Sequence, residues 1–127
     1  MPPTKRKRLV AKLDSLFSSY IRMRDKRKNS GRCTFCFKPI ACCFHFVTRA
    51  KHSVRWDDRN AVASCFGCNY RYEFDPHFAI QWYIAKHGQE AYDILIYDGN
   101  RQAKFGIGDL EALKADLEKK LEGVLGG

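Results

Sequence analysis

The stretch that decides the fold opens with Cys33-Thr34-Phe35-Cys36 and closes with Cys65-Phe66-Gly67-Cys68-Asn69. Each Cys-x-x-Cys pair can present two sulfurs from one tight turn, and two such turns complete the tetrahedron of thiolates that structural zinc prefers. Two disulfides, or reduced thiols without a metal, are the alternatives. Zinc is favoured because nothing in the chain indicates an oxidising compartment. We therefore predict one structural Zn²⁺ held by Cys33, Cys36, Cys65 and Cys68, with Cys42 and Cys43 dispensable for it.

The chain has 127 residues, a length that favours one domain over residues 1–127. With 45% hydrophobic residues it can bury a small core, which a structural metal would help to hold together. No apolar run is long enough to cross a bilayer, and the basic N-terminus lacks the apolar segment of a signal peptide. We expect a soluble protein in a reducing cytoplasm, with no membrane partner.

The charge is concentrated in the first half of the chain. Residues 1–60 contain 16 lysines and arginines against 4 acidic residues, a balance of +12. Residues 61–127 contain 7 against 10, a balance of −3. A surface that serves solubility alone is the simpler explanation, but the density of the runs at residues 5–8 and 22–28 favours a surface that faces a polyanion.

The chain divides into four segments. Residues 1–8 are expected to form a mobile basic arm, because two prolines disfavour a regular start and four successive cations repel one another. Residues 9–28 predict a basic N-terminal helix, and residues 31–74 predict a zinc-bound core of strand, long loop, strand and helix. Residues 75–125 predict a helical part, whose last helix has an apolar stripe that we expect to pack on the same domain.

Three side chains could carry chemistry. His45 lies in an apolar run on the first predicted strand, where a lone histidine is usually a packed core residue. A neutral imidazole there could also act as a general base toward water. The amide of Asn60 on the second strand could hold the other ring nitrogen and so select the tautomer. Asn69 on the following helix could bind a divalent cation beside a phosphodiester.

These residues and their surroundings resemble a known family, the phage NinG/Rap recombination proteins. The segments that carry the resemblance are residues 13–22 (LDSLFSSYIR), 33–36 (CTFC), 45–49 (HFVTR), 55–60 (RWDDRN), 65–69 (CFGCN) and 83–88 (YIAKHG). The Cys-x-x-Cys-Asn ending is also similar to phage recombination endonuclease VII. The resemblance implies an α+β fold, a small zinc-stapled ββα-metal (HNH-like) core flanked by helices, in a phage protein of the host cytoplasm. It further implies His45 as the general base, Asn60 as its orienting partner and Asn69 as a ligand of catalytic Mg²⁺ or Mn²⁺.

The sequence departs from the family beside the histidine. The family usually has glycine before this histidine and many HNH sites have an aspartate that binds the metal, whereas this chain has Phe44. After Cys68-Asn69 the family tends to have a basic residue and a Gly-Asn pair, which this chain lacks. The catalytic cation would then take its second ligand from elsewhere, with His52 and Asp75 as candidates.

The resulting hypothesis is a metal-dependent, structure-selective DNA endonuclease of phage recombination that acts on branched DNA such as Holliday junctions. The alternative is a zinc-stapled nucleic-acid-binding module without catalysis. A homodimer is an open alternative, by analogy with resolvases that cut two strands. The cations expected to contact DNA are Arg49, Lys51, Arg55 and Arg59 in the loop between the strands, and Arg24, Lys26, Arg27 and Lys28 at the end of the first helix.

Overall fold

A computed structural model describes residues 2–126 of the chain, which form a small α+β fold. Its elements are α1 (Lys5–Lys28), β1 (Cys42–His45), β2 (Ala61–Ser64), α2 (Phe66–Arg71), α3 (His77–His87), α4 (Gln89–Asn100) and α5 (Ile107–Gly126). The loop between the strands contains two short 3-10 turns, His52–Val54 and Asp58–Asn60. None of the helices in residues 2–126 combines the length and the apolar character that crossing a membrane requires.

The centre of the chain is a hairpin followed by a short helix. The two strands are antiparallel, with Cys42 opposite Ser64 and His45 opposite Ala61. The order strand, loop, strand, helix agrees with the prediction for residues 31–74. Helix α2 begins directly after Cys65, whose sulfur accepts a hydrogen bond from the Cys68 N–H and caps the helix.

The predicted basic arm is wrong for residues 5–8, which form the first turns of α1. Thr4 caps this helix by accepting a hydrogen bond from the Lys7 N–H. Lys5 forms an ion pair with Glu111 at 3.1 Å. Arg6 donates a hydrogen bond to the Phe105 carbonyl. Contacts with α5 and the segment before it, which are distant in sequence, therefore offset part of the repulsion among these cations.

Two apolar clusters lie on opposite sides of the sheet. The first joins α1 to α5 through buried residues such as Phe17 and Leu117, so the stripe of α5 packs on its own domain as predicted. The second joins the hairpin to α3 and α4 around Phe44 and Tyr83. Because successive strand residues point to opposite faces, His45 lies on the α1 side, where its ring centroid is 5.6 Å from that of Phe17.

The C-terminal part contains three helices, in agreement with the helical part predicted for residues 75–125. Pro76 occupies the cap position of α3, and Gly88 separates α3 from α4 with a positive φ of 96° that suits glycine. Helix α4 continues to Asn100, and a short connection leads from there to α5. The carboxylate of Asp109 accepts a hydrogen bond from the Gly106 N–H at the start of α5.

A buried ion pair attaches α1 to the sheet. Asp25 is 3% exposed and accepts hydrogen bonds from Arg24 Nε at 2.8 Å and from the Ala63 N–H at 2.8 Å. Arg24 also donates to the carbonyls of Asp58 and Ala61. The pair therefore satisfies polar backbone groups on the outer edge of β2. The guanidinium of Arg24, for which the sequence suggested a DNA contact, is thus engaged within the protein.

We expect Asp25→Ala to lower the free energy of unfolding by about 3 kcal/mol, because it leaves a buried guanidinium and the Ala63 N–H without a partner. Urea unfolding at constant zinc concentration measures the change. Asp93→Ala is the matched control, since Asp93 is exposed on α4 and exposed substitutions usually change stability by less than about 0.5 kcal/mol. Equal stability of the two variants would contradict a structural role for the pair.

Candidate functional site

The four cysteines of the paired motifs form one cluster. A sulfur of each of Cys33, Cys36, Cys65 and Cys68 lies within 4.8 Å of the other three, and the Cys36 and Cys65 sulfurs are 3.5 Å apart. A tetrahedron with Zn–S bonds of about 2.3 Å has edges of about 3.8 Å. The spacing and the all-thiolate donor set therefore fit a structural zinc ion. Cys42 and Cys43 lie on β1, outside the cluster, as the sequence predicts.

Backbone N–H groups support the charged form of the thiols. The Phe35 N–H donates to the Cys33 sulfur and the Cys68 N–H donates to the Cys65 sulfur, both at 3.4 Å. Burial raises the pKa of Cys65, but the bonds from the Cys68 N–H and the neighbouring thiols outweigh burial and lower that pKa to about 7. A thiolate is the form that binds metal, so one ligand is prepared near neutral pH.

His45 borders a cleft of about 730 Å³ on the α1 side of the hairpin. Its Nε2 lies 3.0 Å from the Arg55 carbonyl oxygen, which can only accept a hydrogen bond. Nε2 therefore carries the ring proton, and Nδ1 is left with a lone pair. Burial lowers the pKa of His45, and the charge of Arg49 adds to the lowering although the bond to Arg55 opposes it. The ring is therefore neutral at pH 7.

The predicted role of Asn60 as the partner of His45 is wrong. Asn60 is fully buried, and its Oδ1 accepts from the Val47 N–H at 2.7 Å. Its Nδ2 donates to the Val47 carbonyl at 3.0 Å and the Val54 carbonyl at 3.1 Å. An amide can satisfy both a donor and an acceptor of the backbone, so Asn60 fastens the loop between the strands. The Arg55 carbonyl, held on that same loop, orients the histidine instead.

Asn69 and His45 both border the cleft, and Glu73 joins them from the turn just beyond α2. Glu73 was not among the residues that the sequence singled out. An amide oxygen and a carboxylate are hard donors of the kind that bind Mg²⁺ or Mn²⁺.

The two other candidate ligands do not border the cleft. His52 Nε2 lies 3.3 Å from the guanidinium of Arg55, and Asp75 pairs with Arg71 at 2.9 Å. Phe44 is fully buried in the second apolar cluster, on the opposite face of the strand from His45. Within residues 2–126, the four cysteines form the one group of three or more Cys, His, Asp or Glu side chains spaced to hold a metal ion.

Asp14 supports the histidine from α1. Its carboxylate accepts two hydrogen bonds from Arg55, at 2.9 and 2.6 Å, and one from Trp56 Nε1 at 3.0 Å. Burial raises the pKa of Asp14, but the bonds from Arg55 and Trp56 outweigh it, so the pKa lies below its usual value. Because Asp14 holds Arg55, it also places the carbonyl that orients His45. Nothing in the spacing of the sequence singles out Asp14 for this role.

The cations predicted to contact DNA fall into two groups. Arg55 and Arg24 are bonded within the protein, and the side chain of Arg55 is only 16% exposed, so neither guanidinium is free for the DNA contact expected of it. The exposed members are Arg49, Lys51, Arg59, Lys26, Arg27 and Lys28. Of these, Arg59 pairs with Asp57 and Asp98, and Arg49 pairs with Asp14 at 3.6 Å. Arg49 and Arg22 border the cleft, and Arg22 was not anticipated.

Comparisons with models of protein families, with curated proteins and with solved structures find no match to this chain. The resemblance to the NinG/Rap proteins and to endonuclease VII therefore rests on the sequence motifs themselves, and the function is argued from the geometry of the site.

We expect purified protein to contain about one zinc ion per chain, and chelation of that ion to unfold the hairpin and α2. Cys36→Ser should lose most of the metal, because an alcohol is a poor zinc ligand compared with a thiolate. Elemental analysis and thermal unfolding measure the two effects. Cys42→Ser is the matched control and should retain the zinc of the unaltered chain. Metal-free protein with all four thiols reduced would contradict the zinc assignment.

Proposed function

We propose that this protein is a metal-dependent HNH-type endonuclease that acts on DNA, with branched DNA such as Holliday junctions as the expected substrate class. The observation that carries the proposal is His45. Its Nε2–H donates a hydrogen bond to a backbone carbonyl, so the lone pair of Nδ1 is available to accept a proton from water. Asn69, Glu73 and Arg49 border the same cleft.

In the proposed mechanism each step uses groups of this chain. The guanidinium groups of Arg49 and Arg22 bind the phosphate and orient it in the cleft. Nδ1 of His45 takes a proton from a water molecule, and the resulting hydroxide forms a bond to phosphorus as the bond to the leaving oxygen breaks. Asn69 and Glu73 would hold Mg²⁺ or Mn²⁺, which when bound neutralises charge on the phosphate and the leaving oxygen.

The second candidate function is a DNA-binding module that does not cleave. Two observations favour it: a buried Phe44 stands where many HNH sites have a carboxylate, and residues 2–126 contain no second group of three Cys, His, Asp or Glu metal ligands. The exposed basic residues fit both functions equally. Cleavage activity therefore separates the two candidates.

We expect His45→Ala to reduce DNA cleavage by about 10²- to 10⁴-fold, the usual effect of removing a positioned general base. Labelled four-way junction and linear duplex, each with Mg²⁺ or Mn²⁺, are the substrates to test. His77→Ala is the matched control because His77 is exposed at the start of α3. Cleavage by His45→Ala at the rate of His77→Ala, or no cleavage by the unaltered protein with any divalent metal, would reject the enzyme.

The same reaction should depend on pH in one direction. A base must be unprotonated to act, and burial lowers the pKa of His45 below 6.5. The rate should therefore be level near pH 7 and fall as the pH drops through a midpoint below 6.5. A midpoint above 6.5 would mean that a group other than His45 titrates, or that the ring is protonated more readily than its burial implies.

We expect the double substitution Arg49→Ala and Lys51→Ala to weaken duplex binding. The slope of the logarithm of the binding constant against the logarithm of the salt concentration should become less steep by about 1.8, or about 0.9 for each phosphate that a cation no longer neutralises. Lys104→Ala with Lys119→Ala is the control of equal charge, on exposed residues outside the cleft. Arg55 is left unchanged because its bonds to Asp14 hold the carbonyl that orients His45, whereas the side chain of Arg49 is 59% exposed and lies 3.6 Å from Asp14. Equal slopes for the two double variants would exclude this loop as the duplex contact.

A further inference from the structure

A second groove, of about 1010 Å³, lies on a different part of the surface. It is bounded by the turn of the first cysteine pair, the end of α1, and the helices α3 and α4. Among the residues that the structure describes, none lines both this groove and the cleft at His45. The proposed cleavage chemistry makes no use of it.

Two lysines from different helices line this groove. Lys28 comes from the last turn of α1 and Lys86 from the last turn of α3, and both are exposed. Neither lysine forms an ion pair within residues 2–126.

The carboxylates that border the groove are already engaged. Asp25 is bonded to Arg24 and to a backbone N–H. Asp58 accepts hydrogen bonds from Tyr20 and Lys120. Arg59, which also borders the groove, forms ion pairs with Asp57 and Asp98. The charge that remains available to a ligand is therefore that of the two lysines, and it is positive.

Aromatic rings border the same groove as these lysines. Phe37, immediately after the first cysteine pair, is 71% exposed and has a φ of +65°, a left-handed conformation that disfavours bulky side chains. A side chain so exposed contributes little to the fold, so burial does not explain a phenylalanine here. Trp82 also borders the groove, and its indole is stacked on Phe46 with an interplanar angle of 7°.

We propose that this groove binds a segment of single-stranded DNA, with Lys28 and Lys86 on phosphates and the ring of Phe37 stacked on a base. Exposed aromatic rings beside cations are the means by which proteins hold single strands without reading their sequence. A duplex covers the faces of its bases, so a phenylalanine ring would have nothing to stack on. A two-fold dimer through this groove would bring the lysines of both copies together, and like charges oppose such contact.

The proposal adds to the proposed nuclease a contact for the unpaired strand near a branch point, but binding in the groove does not depend on cleavage. It is tested by fluorescence anisotropy with labelled oligothymidine and a matched duplex, without divalent metal. Phe37→Ala should weaken oligothymidine binding by roughly 5- to 150-fold, the range for removal of one stacked base. Phe66→Ala is the matched control, because Phe66 is also 71% exposed and follows a metal-binding cysteine, but does not border the groove.

The double substitution Lys28→Ala and Lys86→Ala should lower the salt slope for oligothymidine by about 1.4, or about 0.7 for each phosphate of a single strand that is no longer neutralised. Lys104→Ala with Lys119→Ala should leave that slope unchanged, since neither residue borders the groove. Oligothymidine should also quench the tryptophan emission, and Trp82→Phe should remove the quenching. Trp56 is 7% exposed and does not border the groove, so it should not respond.

Equal affinity of Phe37→Ala and Phe66→Ala for oligothymidine, or no binding by the unaltered protein, would overturn the proposal. Weaker duplex binding by the groove variants, to the same degree, would overturn it in favour of a duplex site. If Phe37→Ala fails to retain zinc, the lysine variants decide the outcome, because their side chains are not part of the cysteine turns. If the protein binds oligothymidine as expected but cleaves no DNA, the proposed nuclease function is rejected and the proposed single-strand site stands.

Discussion

The convergence of the two cysteine turns holds the other elements of this fold in place. Two strands of four residues each do not form a stable sheet by themselves in water. Here the first turn precedes β1 and the second follows β2, so the four sulfurs join the two ends of the hairpin at one point. The second turn also caps α2 through Cys65. The same cluster therefore sets the position of the helix that carries Asn69.

Helix α1 supplies a second constraint through two acidic residues. Asp25 and Arg24 attach the helix to the outer edge of β2. Asp14, about three turns earlier, holds Arg55 and thereby the carbonyl that orients His45. The candidate base is thus positioned by a helix that lies well before it in the chain. This arrangement explains why a basic helix keeps one buried and one partly buried carboxylate, and why part of its positive charge is not available to a ligand.

The two grooves of this small domain are lined by different kinds of side chain. The cleft at His45 is lined largely by polar groups and contains a neutral imidazole, an amide and an exposed carboxylate. The groove at Phe37 combines aromatic rings with the ammonium groups of two lysines. Residues of the hairpin border both grooves, and the cysteine cluster holds the ends of the hairpin. Under the two proposals, a scissile phosphate and an adjacent single strand would therefore bind at a fixed separation. Selectivity for branched DNA would follow from that geometry without any base-specific contact.

The local features of this protein could be read from its residues without a structure, whereas the pairing of its polar groups could not. Spacing alone encodes the four-cysteine cluster, and periodicity and composition encode the strand, loop, strand, helix order.

Residues 5–8 were assigned wrongly because the partners that stabilise their helix lie about 100 positions away. The partner of the His45 ring is a carbonyl 10 residues away, fixed by the path of a loop rather than by any repeating pattern. Asn60, Arg24 and Arg55 are bonded within the protein, although their residue types suggested catalysis and DNA contact. Hydrogen bonds between distant segments depend on how helices pack, and periodicity in the sequence reports only which face of each helix is buried.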